Sequence, residues 1–115
     1  MAQDRIDALL VSENAENYAR RRLVVELAEA HRLPAIYPFQ DYALIGGLMA
    51  YAIDLEDLYR RAADQIGRIL GGESAGEIPM YQSTTFQLVL NLTTARMLGI
   101  TMPPSLLARA DEVIE

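Results

Sequence analysis

The chain has 115 residues, 51% of them apolar and 23% charged. That is the length and balance of one folded domain with a real core, and it excludes a disordered segment. Ten basic residues, all arginine, face sixteen acidic ones for a net charge of −6, which excludes the basic footprint of a nucleic-acid binder.

Residue types exclude more. There is no cysteine and only one histidine, His31, so disulfides, thiol catalysis and a histidine-based metal cage are ruled out. No stretch approaches the roughly 18 uncharged apolar residues that a membrane span needs, so membrane insertion is not expected. Met1–Arg5 leads straight into Ile6–Val11 with no leader pattern, and the cytoplasm is the literal expectation for the chain as it stands.

In chain order, Ile6–Val11 reads as a short buried strand, with Ser12 or Asn14 placed to cap a helix. Ala15, Ala19, Leu23, Leu27 and Ala30 recur at helical spacing and predict an amphipathic helix from Ala15 to about Arg32. Leu33-Pro34 ends it, and Pro34–Tyr37 reads as a second strand. Strand, helix and strand in about thirty residues form a βαβ unit, so the fold class is α/β with a parallel sheet. Pro38–Ile45 reads as a loop with a helical turn, punctuated by Gly46-Gly47, and Leu48–Tyr51 as a third strand. Asp54–Leu70 is a helix with Leu55, Leu58, Tyr59, Ala62, Ile66, Ile69 and Leu70 on one face. Its Glu56 and Asp57 reach Arg60 and Arg61 at i+4, and Gly71-Gly72 closes it. Ile78–Gln82 is expected as an edge strand and Phe86–Asn91 as a further strand. A short helix opened by Thr93 or Thr94 should stop at Gly99, and a last helix should run from Ser105 to about Ile114 after Pro103-Pro104. No linker or repeat divides residues 1–115, so a single α/β domain is expected.

No catalytic constellation and no phosphate-binding loop stand out, and neither an enzyme nor a cofactor is expected. His31 fits a helix C-terminus. Asp54, Glu56 and Asp57 fit a first helical turn better than a metal site, and the Asn91-Leu92-Thr93 glycosylation pattern is short enough to be accidental. Four of the eight aromatics fall close together: Tyr37, Phe39, Tyr42 and Tyr51. Tyr37 ends a predicted strand and Ser12 follows another, and open α/β sheets bind ligands outside the carboxyl ends of their strands. The rings fit packing or a subunit contact as well as a pocket.

Leu27–Tyr37, Gly46–Tyr51, Asp57–Ala63, Phe86–Ala95 and Pro103–Glu112 resemble, in register, the C-terminal part of ABC transporter substrate-binding proteins, and are similar to the tryptophan-type members. The resemblance implies part of a periplasmic-binding-protein type I fold, whose two α/β lobes close over a small ligand. This chain corresponds to well under half of such a protein. Two departures mark it: Ala50-Tyr51-Ala52 stands where members carry Ser-Tyr-Gly, and Ser12-Glu13-Asn14 stands where a proline turn is usual.

What the resemblance implies is an amino-acid-like or aromatic ligand in a cleft lined by Ser12, Glu13, Tyr37 and Tyr51. An ABC permease would be a partner only through a full-length parent, and such proteins are exported. The Asp54–Leu70 helix would lack the lobe it normally packs on. The alternative is therefore a homodimeric structural or interaction protein without ligand, two copies covering each other's apolar faces.

Overall fold

The leading apolar run is recruited only in part. In the computed structural model, which describes residues 5–115, β1 is Leu9–Leu10. The reading that no leader is present rests mainly on residues outside that range. Asn14 caps the next helix, its side chain accepting from the Asn17 N–H at 2.7 Å.

The helix expected over Ala15–Arg32 is two helices, α1 (Ala15–Ala19) and α2 (Arg21–Ala30), broken at Arg20 with φ −104° and ψ 21°. The break lies beside Tyr18, whose ring packs edge-on against Phe39 and Tyr42. Beyond it, α2 turns Val25 and Ala28 into the core. His31 is the C-cap residue of α2, its N–H donating to the Leu27 carbonyl at 3.1 Å.

β2 (Ala35–Tyr37), α3 (Gln40–Leu44) and β3 (Met49–Ile53) follow. β1 pairs with β2 and β2 with β3, all parallel, as the βαβ pattern predicts. β4 (Phe86–Asn91) matches the expected strand. The sheet order is β1-β2-β3-β4-β5, and the β3–β4 neighbours run antiparallel. At one end the Asn91 N–H donates to the Leu48 carbonyl at 2.8 Å, and at the other the Asp54 N–H donates to Thr85 at 2.9 Å.

The last expected helix is the clearest correction. Only Pro104–Leu107 is helical (α6), and Glu112–Ile114 forms β5, parallel to β4 with Leu90 opposite Val113. β4 offers an edge of unpaired peptide groups, and closing it outweighs the weak local preference of a short segment for helix. Asp111 fixes the register: its N–H donates to the Leu88 carbonyl at 2.8 Å, and its carboxylate accepts from the Leu88 N–H at 2.7 Å. Between β4 and α6, α5 (Leu92–Leu98) is capped by Asn91 rather than by Thr93 or Thr94, and ends at Gly99 with φ +73°, a left-handed conformation in which glycine carries no Cβ penalty.

The chain divides into two compact units: the stretch up to Ala52 with Gln87–Glu115, and Ile53–Phe86. The first holds the core. Val25 and Ala28 pack with Val11, Ala35, Tyr37 and Tyr42, while Leu48, Leu88 and Leu90 pack with Ala95 and Met102. Leu90 and Val89 are among the most deeply buried side chains, each contributing roughly 1.5–3 kcal/mol.

The second unit is built on α4 (Leu55–Leu70), capped by Asp54, which accepts from the Asp57 N–H at 3.0 Å. The expected i+4 pairs form, Arg60–Glu56 at 2.7 Å and Arg61–Asp57 at 3.0 Å. The Arg61 guanidinium holds the Asp57 carboxyl below its ordinary pKa, helped by the Tyr81 hydroxyl. Ile78–Gln82 is not a strand. It runs back along α4, with Gln65 Nε2 donating to the Pro79 carbonyl at 3.3 Å and Arg61 lying 4.4 Å over the Tyr81 ring. Pro79 has no N–H for a ladder, and side-chain contacts with the helix take its place. Among the described residues no helix is long and apolar enough to cross a membrane.

Candidate ligand-binding site

Strand register determines which residues share an edge. The Val11 N–H donates to the Ile36 carbonyl at 3.0 Å, and Tyr37 stands opposite Ala50. Ser12-Glu13 and Pro38-Phe39, just past the carboxyl ends of β1 and β2, therefore fall in one row with Tyr51, at the middle of β3. With strands about 4.8 Å apart, the row places the Ser12 and Tyr51 backbones on the order of 10 Å from each other.

Ser12 and Glu13 are exposed. Ser12 is held by Asn17, whose Nδ2 donates to the Ser12 carbonyl at 3.2 Å and to its Oγ at 3.4 Å. Tyr51 is half exposed, while its neighbours Ala50 and Ala52 are buried on the other face of β3. Tyr37 is set apart from these three. It is 2% exposed, and its ring stacks on Tyr42 at 4.8 Å and 15°. Burial pushes its hydroxyl up to about 12. Ser12, Glu13 and Tyr51 thus share an accessible edge, and Tyr37 lies beneath it.

Residues that the sequence reading passed over complete the edge. The Tyr18 hydroxyl donates to Asp41 Oδ2, and that bond to a carboxylate raises the Tyr18 pKa. The Tyr18 ring meets Phe39 at 5.4 Å and Tyr42 at 6.4 Å, both edge-on. Arg21 lies 4.7 Å over the same ring and donates to the Tyr18 carbonyl at 3.1 Å. Tyr18 and Asp41 are 23 residues apart in the chain, and only the packing of α1 beside α3 joins them. The cluster sets aromatic faces next to one cation, Arg21, and one carboxylate, Asp41, while Glu13 is exposed beside Ser12. Such a set can take a planar or apolar body with charged substituents. Among the described residues no three His, Cys, Asp or Glu side chains come together as a metal site. Asn91, of the glycosylation pattern, is buried, with Nδ2 donating to the Ala43 carbonyl and Oδ1 accepting from the Thr94 N–H.

In the second unit α4 buries none of its residues. Leu55, Tyr59, Ile66, Ile69 and Leu70 are all exposed.

The family of ABC transporter substrate binding proteins matches over residues 2–114. Among solved structures, the ABC domain from Streptococcus pneumoniae in complex with L-Trp is 28% identical with a TM-score of 0.86, over 96% of this chain and 38% of that one. A conserved domain protein from Vibrio cholerae O1 biovar El Tor gives 24% identity and a TM-score of 0.86, over 93% and 36%. A ligand-free, open substrate-binding protein with adhesive properties from Clostridium difficile gives 21% and 0.65, over 96% and 37%. This chain therefore spans little more than a third of the length of these structures. A comparison with curated proteins finds no match.

Proposed function

The chain belongs to the family of ABC transporter substrate-binding proteins, and from that premise we propose that it binds a small amino-acid-like or aromatic molecule on the carboxyl-end edge of β1 to β3. The single observation that carries the reading is the built edge itself. An aromatic cluster around Tyr18 is clasped by Asp41 and Arg21, and its Phe39 directly follows Pro38, which stands in one row with Ser12 and Tyr51. The edge would form one wall of a cleft. Glu13 and Asp41 suit an ammonium group, Arg21 a carboxylate, and Ser12 and Tyr51 supply hydroxyls. Tyr37 supports the wall from below through its stack on Tyr42. Binding, not bond making, is the proposed role. The S. pneumoniae relative in complex with L-Trp supports the ligand class. The family's periplasmic setting and an ABC permease as partner are part of the proposal for any longer protein that contains this chain.

The test uses the absence of tryptophan from the sequence. L-tryptophan emission, excited where tyrosine does not absorb, should shift and saturate on titration with the protein. Tyr51→Ala and Glu13→Gln should each weaken binding by about tenfold, the scale of one lost charge-assisted or stacking contact. A flat response to L-tryptophan, with flat calorimetry for L-phenylalanine, L-tyrosine and L-leucine, would refute the proposal.

A second reading is favoured by the α4 face. Five large apolar side chains stand exposed along one helix, and a contiguous patch of that kind marks an interaction surface. In this reading the chain is a homodimer in which α4 is covered by its copy, and no ligand is needed. Light scattering across a hundredfold range of concentration tests it: a persistent dimer supports the reading, and a monomer throughout sinks it.

A further inference from the structure

Among the described residues the Tyr42 hydroxyl is buried without a hydrogen-bond partner, and the whole residue is 0% exposed. A buried donor in that state costs free energy. The packing does not call for the oxygen: the ring is held by its stack on Tyr37 at 4.8 Å and its edge-on contact with Tyr18 at 6.4 Å. Phenylalanine would make both contacts without the cost. A polar group kept against stability points to a role in binding.

The neighbours of Tyr42 indicate what it binds. Arg21 is half-buried and makes no ion pair among the described residues. Burial raises the Tyr42 pKa and the Arg21 charge lowers it, so the guanidinium acts on the hydroxyl directly. A donor and a cation together suit a carboxylate. Tyr18, which packs against Tyr42, is itself exposed, and α1 buries none of its five residues. Tyr18 is therefore anchored by its own contacts, chiefly the bond from its hydroxyl to Asp41. That bond is at the surface, where water competes for both partners, and the side chain can turn about χ1 without moving the helix. Turning Tyr18 outward uncovers Tyr42 beside Arg21 and frees the Asp41 carboxylate in the same movement.

We infer that Tyr18 is a gate over a carboxylate seat, in which the Tyr42 hydroxyl and Arg21 together donate to the carboxylate of an amino-acid ligand while the freed Asp41 accepts from its ammonium group. The inference rests on the strand-end reading and adds to it the buried group that reads the carboxylate and the side chain that must move.

The test titrates the whole chain and two variants with L-tryptophan and with tryptamine, which lacks the carboxylate, following indole emission. Tyr42→Phe should weaken L-tryptophan binding about tenfold, the loss of one charge-assisted hydrogen bond, and tryptamine should not distinguish it from the wild type. Because this variant is expected to be the more stable protein, weaker binding cannot come from unfolding. Tyr18→Phe keeps the ring and removes its bond to Asp41, so it should tighten L-tryptophan binding about threefold as the closed population falls. Tyr42→Phe binding L-tryptophan as the wild type does, or weakening both ligands alike, overturns the inference and leaves the strand-end reading standing. Tyr18→Phe binding no more tightly than the wild type overturns the gate. A wild type that binds no L-tryptophan refutes the strand-end reading and this inference with it.

Discussion

Gly47→Ala isolates a steric requirement at the centre of the first unit. A Cβ at Gly47 would lie 2.7 Å from the Tyr42 carbonyl oxygen, 2.7 Å from Tyr37 Cε2 and 2.9 Å from Tyr37 Cδ2. Gly47 is not among the residues of positive φ, so the close approach alone is at stake. Neither neighbour can retreat easily. The carbonyl accepts the Gly47 N–H at 2.7 Å, Tyr42 is 0% exposed, and the Tyr37 ring is stacked on Tyr42 at 4.8 Å. Forcing a methyl group into such a site costs about 1–3 kcal/mol, a large part of a total stability of roughly 5–15 kcal/mol. Thermal unfolding followed by circular dichroism should show the melting temperature lowered by roughly 5–20 °C. Gly67→Ala is the matched control. Gly67 is inside α4 with nothing within 4 Å of its Cβ position, and alanine there should stabilise by about 0.5–1 kcal/mol. The same methyl group should thus act with opposite signs at two glycines. If Gly47→Ala melts with the wild type, the Tyr37–Tyr42–Gly47 packing argument is wrong.

Three further outcomes follow from single side chains. The Tyr42 hydroxyl is buried with no hydrogen-bond partner, so Tyr42→Phe should keep the stack and raise stability by about 1–2 kcal/mol in urea unfolding; a loss would show that the hydroxyl is satisfied in solution. Asn91→Ala removes the cap of α5 and orphans the Ala43 carbonyl, and should cost about 2–4 kcal/mol in the same assay; a change under 1 kcal/mol would show both bonds to be dispensable. Tyr37 titrates at about 12, raised by burial, against an ordinary value of about 10. The neutral form is favoured in the folded state, so its contribution is complete below pH 10 and lost as pH rises towards 12. Stability measured across that interval should fall more steeply for the wild type than for Tyr37→Phe, and equal slopes would mean that Tyr37 ionises freely.

The sequence by itself determined the features that are written locally. The alternation of apolar runs and helical spacing specified the βαβ start, the β4 strand at Phe86–Asn91 and the α4 helix with its Asp54 start and i+4 pairs, because each depends on neighbours within about four residues. The family was legible for the same reason, since its motifs are short contiguous strings. Tertiary structure alone decided the rest. Glu112–Ile114 is a strand because β4 presents an open edge, and Ile78–Gln82 is not one because its contacts are on α4; neither partner is near in sequence. The break at Arg20 follows Tyr18 onto Phe39 and Asp41, residues that come together only when α1 and α3 pack. The candidate site divides along the same line. Ser12 and Glu13 could be placed past the end of β1 from the sequence, because polar residues bound its apolar run, whereas Tyr51, expected at the end of the third strand, is at the middle of β3, which runs on to Ile53. Whether a ring at the end of a strand faces solvent or core depends on which helix covers it, and α2 and α3 cover Tyr37.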